Sequence, residues 1–236
     1  MLDELKEAVF KANQDLPKSG LAILTFGNAS GIDRRREIVA IKPSGVPYAE
    51  LKVEDIILTD LEGKIIEGWL KPSSDLPTHL ELYKAFPDIG GVAHAHSSYA
   101  TMFAQARKDI KCYGTTHADH FASPIPVTRP LTAEEVDGEY EINTGRVIVE
   151  RFARLDPARI PAVLVAGHGP FTWGETPDEA VRNGIVLEHV AKIAFGTLLL
   201  NRRQAGLEAH VLKKHYQRKH GPGATYGQDR SRDKES

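Results

Sequence analysis

The chain has 236 residues, 41% of them hydrophobic and 26% charged, enough to bury one sizeable core in a single domain. Its formal net charge of -2 gives no electrostatic ground for a nucleic-acid or anionic-membrane partner, and neither is expected. Cys112 is the only cysteine, which rules out an intrachain disulfide and Cys-x-x-Cys chemistry and suits a reducing cytoplasm.

Leu2, Leu5, Val9, Ala12 and Leu16 recur at steps of three and four, which predicts an amphipathic helix rather than a signal peptide, stopped at Pro17-Lys18-Ser19-Gly20. Leu21 to Phe26 then reads as a strand ending at Gly27-Asn28, and Ile38 to Ile41 as a second, closed by Pro43-Ser44-Gly45. A hairpin is expected over Asp55 to Thr59 and Lys64 to Glu67, and a helix from Ser73-Ser74-Asp75-Leu76-Pro77 to about Phe86. Gly90-Gly91 leads into a short strand through Val92 and His94, then a helical stretch to Ala106, and Ala162 to Ala166 is a further apolar strand.

Thr132 with Glu135, and Thr176 with Glu179, have the spacing of capping boxes, the second with Pro177 at the first helical position. The helix from Pro177 to about Asn201 is apolar around most of its circumference, so it should be buried within the subunit or against a neighbour. No apolar run reaches the roughly 20 residues needed to cross a bilayer. Residues 1–228 read as one domain, and residues 229–236, charged and without an apolar anchor, as a disordered tail.

His94 and His96 are two apart on a segment that reads as a strand, a period that puts both imidazoles on one face about 6 to 7 Å apart along the chain. Imidazole suits zinc-like ions, and a catalytic site uses three protein ligands and keeps a position open, so His168, between two glycines past another strand end, is the natural third. Asp75 is a fourth ligand, a nearby carboxylate, or simply the N-cap of its helix. An isolated His-x-His pair is equally compatible with solvated side chains.

Gly27-Asn28, Ser44-Gly45 and Ser73-Ser74 each fall at a strand end or helix start, where free backbone N–H groups and a helix dipole suit a phosphate, with Lys42 as an added charge. Singly, each is an ordinary turn. The run Lys213, Lys214, His215, Arg218, Lys219 and His220 reads as a solvated helix face or as groups near an anionic substrate.

Taken together, Thr25-Phe26-Gly27-Asn28-Ala29-Ser30, Lys42-Pro43-Ser44-Gly45-Val46, Lys71-Pro72-Ser73-Ser74-Asp75, His94-Ala95-His96-Ser97, Gly114-Thr115-Thr116-His117-Ala118-Asp119 and Gly167-His168-Gly169-Pro170-Phe171 resemble, in order and spacing, the L-ribulose-5-phosphate 4-epimerase branch of the class II aldolase family. The ending His215-Tyr216-Gln217-Arg218-Lys219-His220-Gly221, then Tyr226-Gly227-Gln228, is similar to that branch's terminus.

The resemblance implies a three-layer α/β/α fold with a central, mainly antiparallel sheet, assembled as a homotetramer with active sites between subunits. It implies one divalent ion per subunit, zinc first with manganese or cobalt as alternatives, on His94, His96 and His168 with Asp75 on or beside it. Gly27, Asn28, Lys42, Ser44, Gly45, Ser73 and Ser74 would hold a phosphorylated ketopentose, and Asp119 and Tyr226 of a neighbouring subunit would be the acid/base pair. Thr115, His215 and Arg218 would lie near it. Fuculose-phosphate-type aldolases of the family generally carry Glu where this chain has Asp75, which favours the epimerase branch. The alternatives are such an aldolase or a catalytically silent adducin-like module.

Overall fold

A computed structural model describes residues 2–222 and 224 of the chain. The first helix, α1 (Leu2–Lys18), buries Val9, Ala12 and Leu16, the stripe its periodicity predicts. The residues that follow are not the expected strand over Leu21 to Phe26. Leu24 takes a left-handed backbone (φ 53°), and Ile23, Leu24 and Phe26 are exposed, so the apolar run forms an irregular loop instead. Gly27 (φ 82°) turns the chain, and β1 (Asn28–Asp33) begins where the sequence reading ended a strand.

The remaining strands are β2 (Ile38–Ile41), β3 (Ile57–Thr59), β4 (Ile65–Glu67), β5 (Gly91–His94), β6 (Ala162–Leu164) and β7 (Pro170–Gly174). They form one seven-stranded sheet in the order β4-β3-β2-β1-β5-β7-β6, with every neighbouring pair antiparallel. The other helices are α2 (Leu76–Ala85), α3 (Ser98–Ala106), α4 (Thr115–Ala118), α5 (Ala133–Asp137), α6 (Tyr140–Phe152), α7 (Pro177–Leu200) and α8 (Ala209–His220).

The alternation of side chains along each strand sorts the core into two faces. Ile32, Val39, Ile41, Ile57, Val92, Phe171 and Trp173 pack with Leu76, Leu80 and Tyr83 of α2 and Ile148 and Phe152 of α6. On the opposite face Ala29, Ala93, Ala40 and Leu58 meet α1 and the start of α7. The small residues there let α7 approach closely: a Cβ on Gly91 would come 2.4 Å from the Pro177 nitrogen. The result is the three-layer α/β/α arrangement, with a mostly antiparallel sheet at its centre.

Thr132 and Glu135 close a full capping box on α5. At α7 the Thr176 hydroxyl caps the Glu179 N–H, but the Glu179 carboxylate accepts from Glu175 instead. By length and composition α7 is able to cross a membrane, yet its inner face packs on β5, β7, α1 and α3. Its outer face leaves Ile185, Ile193, Leu199 and Leu200 exposed, so the burial expected of this helix is only half met within one chain.

Candidate metal and phosphate site

At the end of β5 the backbone carries His94 into a buried position, and His96 follows just past the strand rather than on it. The His94 Nδ1 lies 2.9 Å from the Pro170 carbonyl, which can only accept, so Nδ1 donates and Nε2 keeps its lone pair. That Nε2 is 3.1 Å from Nε2 of His96. His168 arrives from the turn between β6 and β7, where Gly167 adopts φ 76°. One ring nitrogen of each of the three histidines lies within 4.8 Å of the others.

Ring centroids of the three are 4.8 to 5.0 Å apart and steeply tilted to one another, so the nitrogens converge rather than stack. Two imidazole nitrogens bound to one tetrahedral ion at about 2.0–2.1 Å would stand roughly 3.3 Å apart, close to the His94–His96 separation. The backbone bond that fixes the His94 tautomer is the usual support of a metal-binding imidazole. The donor set therefore fits a divalent ion. His94 is buried, His168 half-buried and His96 exposed, which leaves one side of the cluster open.

Burial holds the His168 pKa down to about 4, helped by His94 and His96, and lowers His96 as well, so both stay neutral as ligands must. Asp75 takes the N-cap position of α2 but has helical backbone angles and no capping hydrogen bond. Its carboxylate instead accepts from Asn28 Nδ2 at 2.7 Å and faces the histidine cavity. Burial opposes its charge, yet the neighbouring His94 and the Asn28 hydrogen bond keep its pKa below the usual carboxylate value.

A cavity of about 390 Å³ joins this cluster to the three small polar turns: Gly27, Asn28, Lys42, Ser44, Gly45, Ser73, Ser74 and Asp75 line it with His94, His96 and His168. The turns are drawn together by backbone bonds, Ser44 N–H to the Lys71 carbonyl at 2.9 Å and Ser73 N–H to the Lys42 carbonyl at 3.0 Å. Those two N–H groups are thus not free for an anion, contrary to the expectation for these turns. Among the described residues, the serine hydroxyls and the Lys42 ammonium, which also donates to the Pro43 carbonyl at 3.2 Å, are donors that line the cavity. Lys42 is almost wholly buried beneath Tyr48, 5.0 Å from its ring, and burial lowers its pKa to about 8.

Other predicted residues lie apart from this cavity. Asp119 ends α4 and is gripped by α8: its carboxylate accepts from His215 Nδ1 and from Arg218, both at 2.9 Å, with Lys219 at 3.8 Å. Burial would raise its pKa, but Arg218 and His215 more than offset this and keep it ionised. Thr115 begins the same short helix, and Thr115, His215, Arg218 and Asp119 do not border the cavity. Tyr226 and the tail 229–236 lie outside the described residues. Sequence reasoning missed Tyr140 and Glu141, which line the cavity from the start of α6, the Tyr140 ring 6.4 Å from His168. No motif or spacing marks them.

The family model for the class II aldolase and adducin N-terminal domain matches residues 7–195. This chain belongs to the class II aldolase and adducin family. Among class II aldolase relatives, the L-ribulose-5-phosphate 4-epimerase UlaF of Salmonella paratyphi C is 49% identical over 227 residues, covering 96% of this chain and 100% of the relative. The protein of the same name from Salmonella choleraesuis matches equally. Of solved class II aldolase structures, an L-fuculose 1-phosphate aldolase superposes with a TM-score of 0.77 at 26% identity, over 91% of this chain and 95% of that one. YgbL from Klebsiella pneumoniae, described as a putative aldolase/epimerase/decarboxylase, gives 0.71 at 27% identity, over 89% and 97%.

Proposed function

We propose that this protein is a metal-dependent L-ribulose-5-phosphate 4-epimerase, converting L-ribulose 5-phosphate to D-xylulose 5-phosphate. The observation that carries the reading is a single cavity holding both a three-histidine cluster and the small polar turns suited to a phosphate. Near-half identity to the Salmonella epimerases over the whole of their length supports the same conclusion.

C4 of a 2-ketose phosphate is not adjacent to the carbonyl, so a carbanion there has no stabilisation and simple deprotonation cannot invert it. Cleaving C3–C4 avoids the difficulty: the C4 hydroxyl loses its proton, C4 becomes the aldehyde of glycolaldehyde phosphate, and the electron pair stays on the three-carbon fragment. Reclosure on the other aldehyde face gives the epimer. A divalent ion, zinc in the first instance, held by His94, His96 and His168 with Asp75 beside them, would supply Lewis-acid stabilisation of the negative charge that cleavage creates.

Ser44, Gly45, Ser73 and Ser74, with Gly27, Asn28 and Lys42 around them, hold the phosphate so that the aldehyde turns in place rather than escaping. Asp119 and Tyr226 of a neighbouring subunit form the proton-transfer pair, with Thr115, His215 and Arg218 around them. Asp119 has no place in the cavity of its own chain, and α7 exposes an apolar outer face, so both support an assembly of subunits, read here as a homotetramer. Residues 1–228 then act as one catalytic domain, and the lone buried Cys112 suits a cytoplasmic setting.

The likeness to an L-fuculose 1-phosphate aldolase structure favours a second reading, net cleavage of a sugar phosphate. Carbon NMR of L-ribulose 5-phosphate with metal-stripped protein, before and after zinc or manganese is restored, separates the two. Metal-dependent D-xylulose 5-phosphate is expected. Free aldehyde would point to an aldolase, and an unchanged sugar would overturn the epimerase reading.

A further inference from the structure

Beneath the cavity, β1 and α2 are joined by two polar rungs. Asn28 Nδ2 donates to Asp75 at 2.7 Å, and one strand period further Ser30 Oγ lies 2.7 Å from His79 Nδ1, one helical turn beyond Asp75. A two-residue step along a strand advances about 6.8 Å and a four-residue step along a helix about 6 Å, so both rungs close together. Tyr83, another turn along α2, brings its hydroxyl to within 2.7 Å of the same Ser30 oxygen. Ser30, His79 and Tyr83 are each no more than 1% exposed.

A buried polar chain of this kind costs stability unless its geometry is met, so its placement under the site calls for a reason. Apolar residues would pack β1 on α2 equally well, as Ile32 does on the same strand face. At the start of α2 the Asp75 side chain makes no cap, although its backbone N–H donates to Ser73 Oγ at 3.3 Å. The rotation of α2 about its axis decides where that carboxylate points; packing on α6 holds the helix from one side, and the Ser30–His79–Tyr83 chain ties it to β1 directly beneath Asp75. Burial keeps His79 neutral, its pKa lowered to about 3, so its part is geometric rather than that of a counter-ion.

We propose that His79, anchored by Ser30 and Tyr83, is a positioning residue for Asp75 and holds its carboxylate aimed into the histidine cavity. The inference rests on the reading of Asp75 as part of a metal site. Its test is zinc affinity of the full chain, measured by chelator competition, alongside kcat and KM for L-ribulose 5-phosphate. His79→Leu is expected to weaken zinc binding about 10- to 100-fold, as loss of an orienting partner does, and to lower kcat with KM little changed. His79→Asn, whose amide nitrogen can replace Nδ1 toward Ser30, should recover most of both.

In an Asp75→Asn background His79→Leu should weaken zinc binding no further, because the two act through one carboxylate. A loss of the same size in that background, or unchanged zinc affinity in the single variant, would overturn the proposal. If His79→Leu does not fold, Ser30→Ala carries the same comparison. Inert wild-type protein toward the sugar would sink the epimerase reading alone, because the zinc measurements still decide the role of His79.

Discussion

Asn28 stands directly across from His94 in the β1–β5 ladder. The residue that holds the Asp75 carboxylate and the residue that anchors the histidine cluster thus share one rung, so the register of two strands sets how Asp75 stands to the three histidines. Gly27, one step before that rung, has φ 82°, and a Cβ there would meet the His94 carbonyl at 2.7 Å. Gly27→Ala is therefore expected to cost about 1–3 kcal/mol of stability and to lower kcat as well, because the strain is relieved only by parting β1 from β5. Thermal unfolding and turnover of the variant check this, and wild-type values for both would show that the rung tolerates the side chain.

His96 is the exposed member of the cluster, so its removal opens the site without hollowing the core. His96→Ala is expected to lose bound metal and activity together, activity by more than about 100-fold, beyond what loss of a merely orienting residue costs. Metal content of the purified variant and its rate on L-ribulose 5-phosphate are the measurements. Full metal occupancy with activity gone would remove His96 from the ligand set and give it a different part.

Much of this site is readable in the sequence because its chemistry depends on local spacing. His94 and His96 are two apart, and the Ser-Gly and Ser-Ser turns sit where strand and helix ends are predictable. The loop Leu21 to Phe26 reads as a strand because an apolar run alone carries no sign of the left-handed Leu24 that breaks it. Asp75 looks like an N-cap because capping and metal chemistry use the same residue at the same place, and no local pattern shows that Asn28, 47 positions away, takes its carboxylate instead of the helix N-terminus. Tyr140 and Glu141 reach the cavity solely because α6 packs on α2, a contact between distant segments that no local pattern records.

Asp119 is held ionised by Arg218, His215 and Lys219 of α8 against the opposing effect of burial. Removing the guanidinium in Arg218→Leu leaves burial less opposed, so the carboxyl pKa moves up. If Asp119 must be ionised for turnover, the acid limb of the pH–kcat profile shifts to higher pH in this variant while metal content stays unchanged. An acid limb that stays in place would mean that α8 orders this corner of the fold without tuning the proton-transfer group.

Lys42 offers a pH test in which binding and stability move in opposite directions. Burial lowers its pKa from the ordinary lysine value of 10.5 to about 8. Below pH 8 the ammonium is present and can meet a phosphate. As pH rises through 8 that charge is lost, and KM should climb, by about tenfold at pH 9 if binding needs the cation. Between pH 8 and about 10 the unfolded chain still keeps its lysine proton while the folded one does not, so Lys42 contributes rising, not falling, stability there. Unfolding therefore cannot account for a KM that increases over this range. Lys42→Met should show a raised KM with the alkaline rise removed, and a wild-type KM flat from pH 7 to 9 would take Lys42 out of phosphate binding.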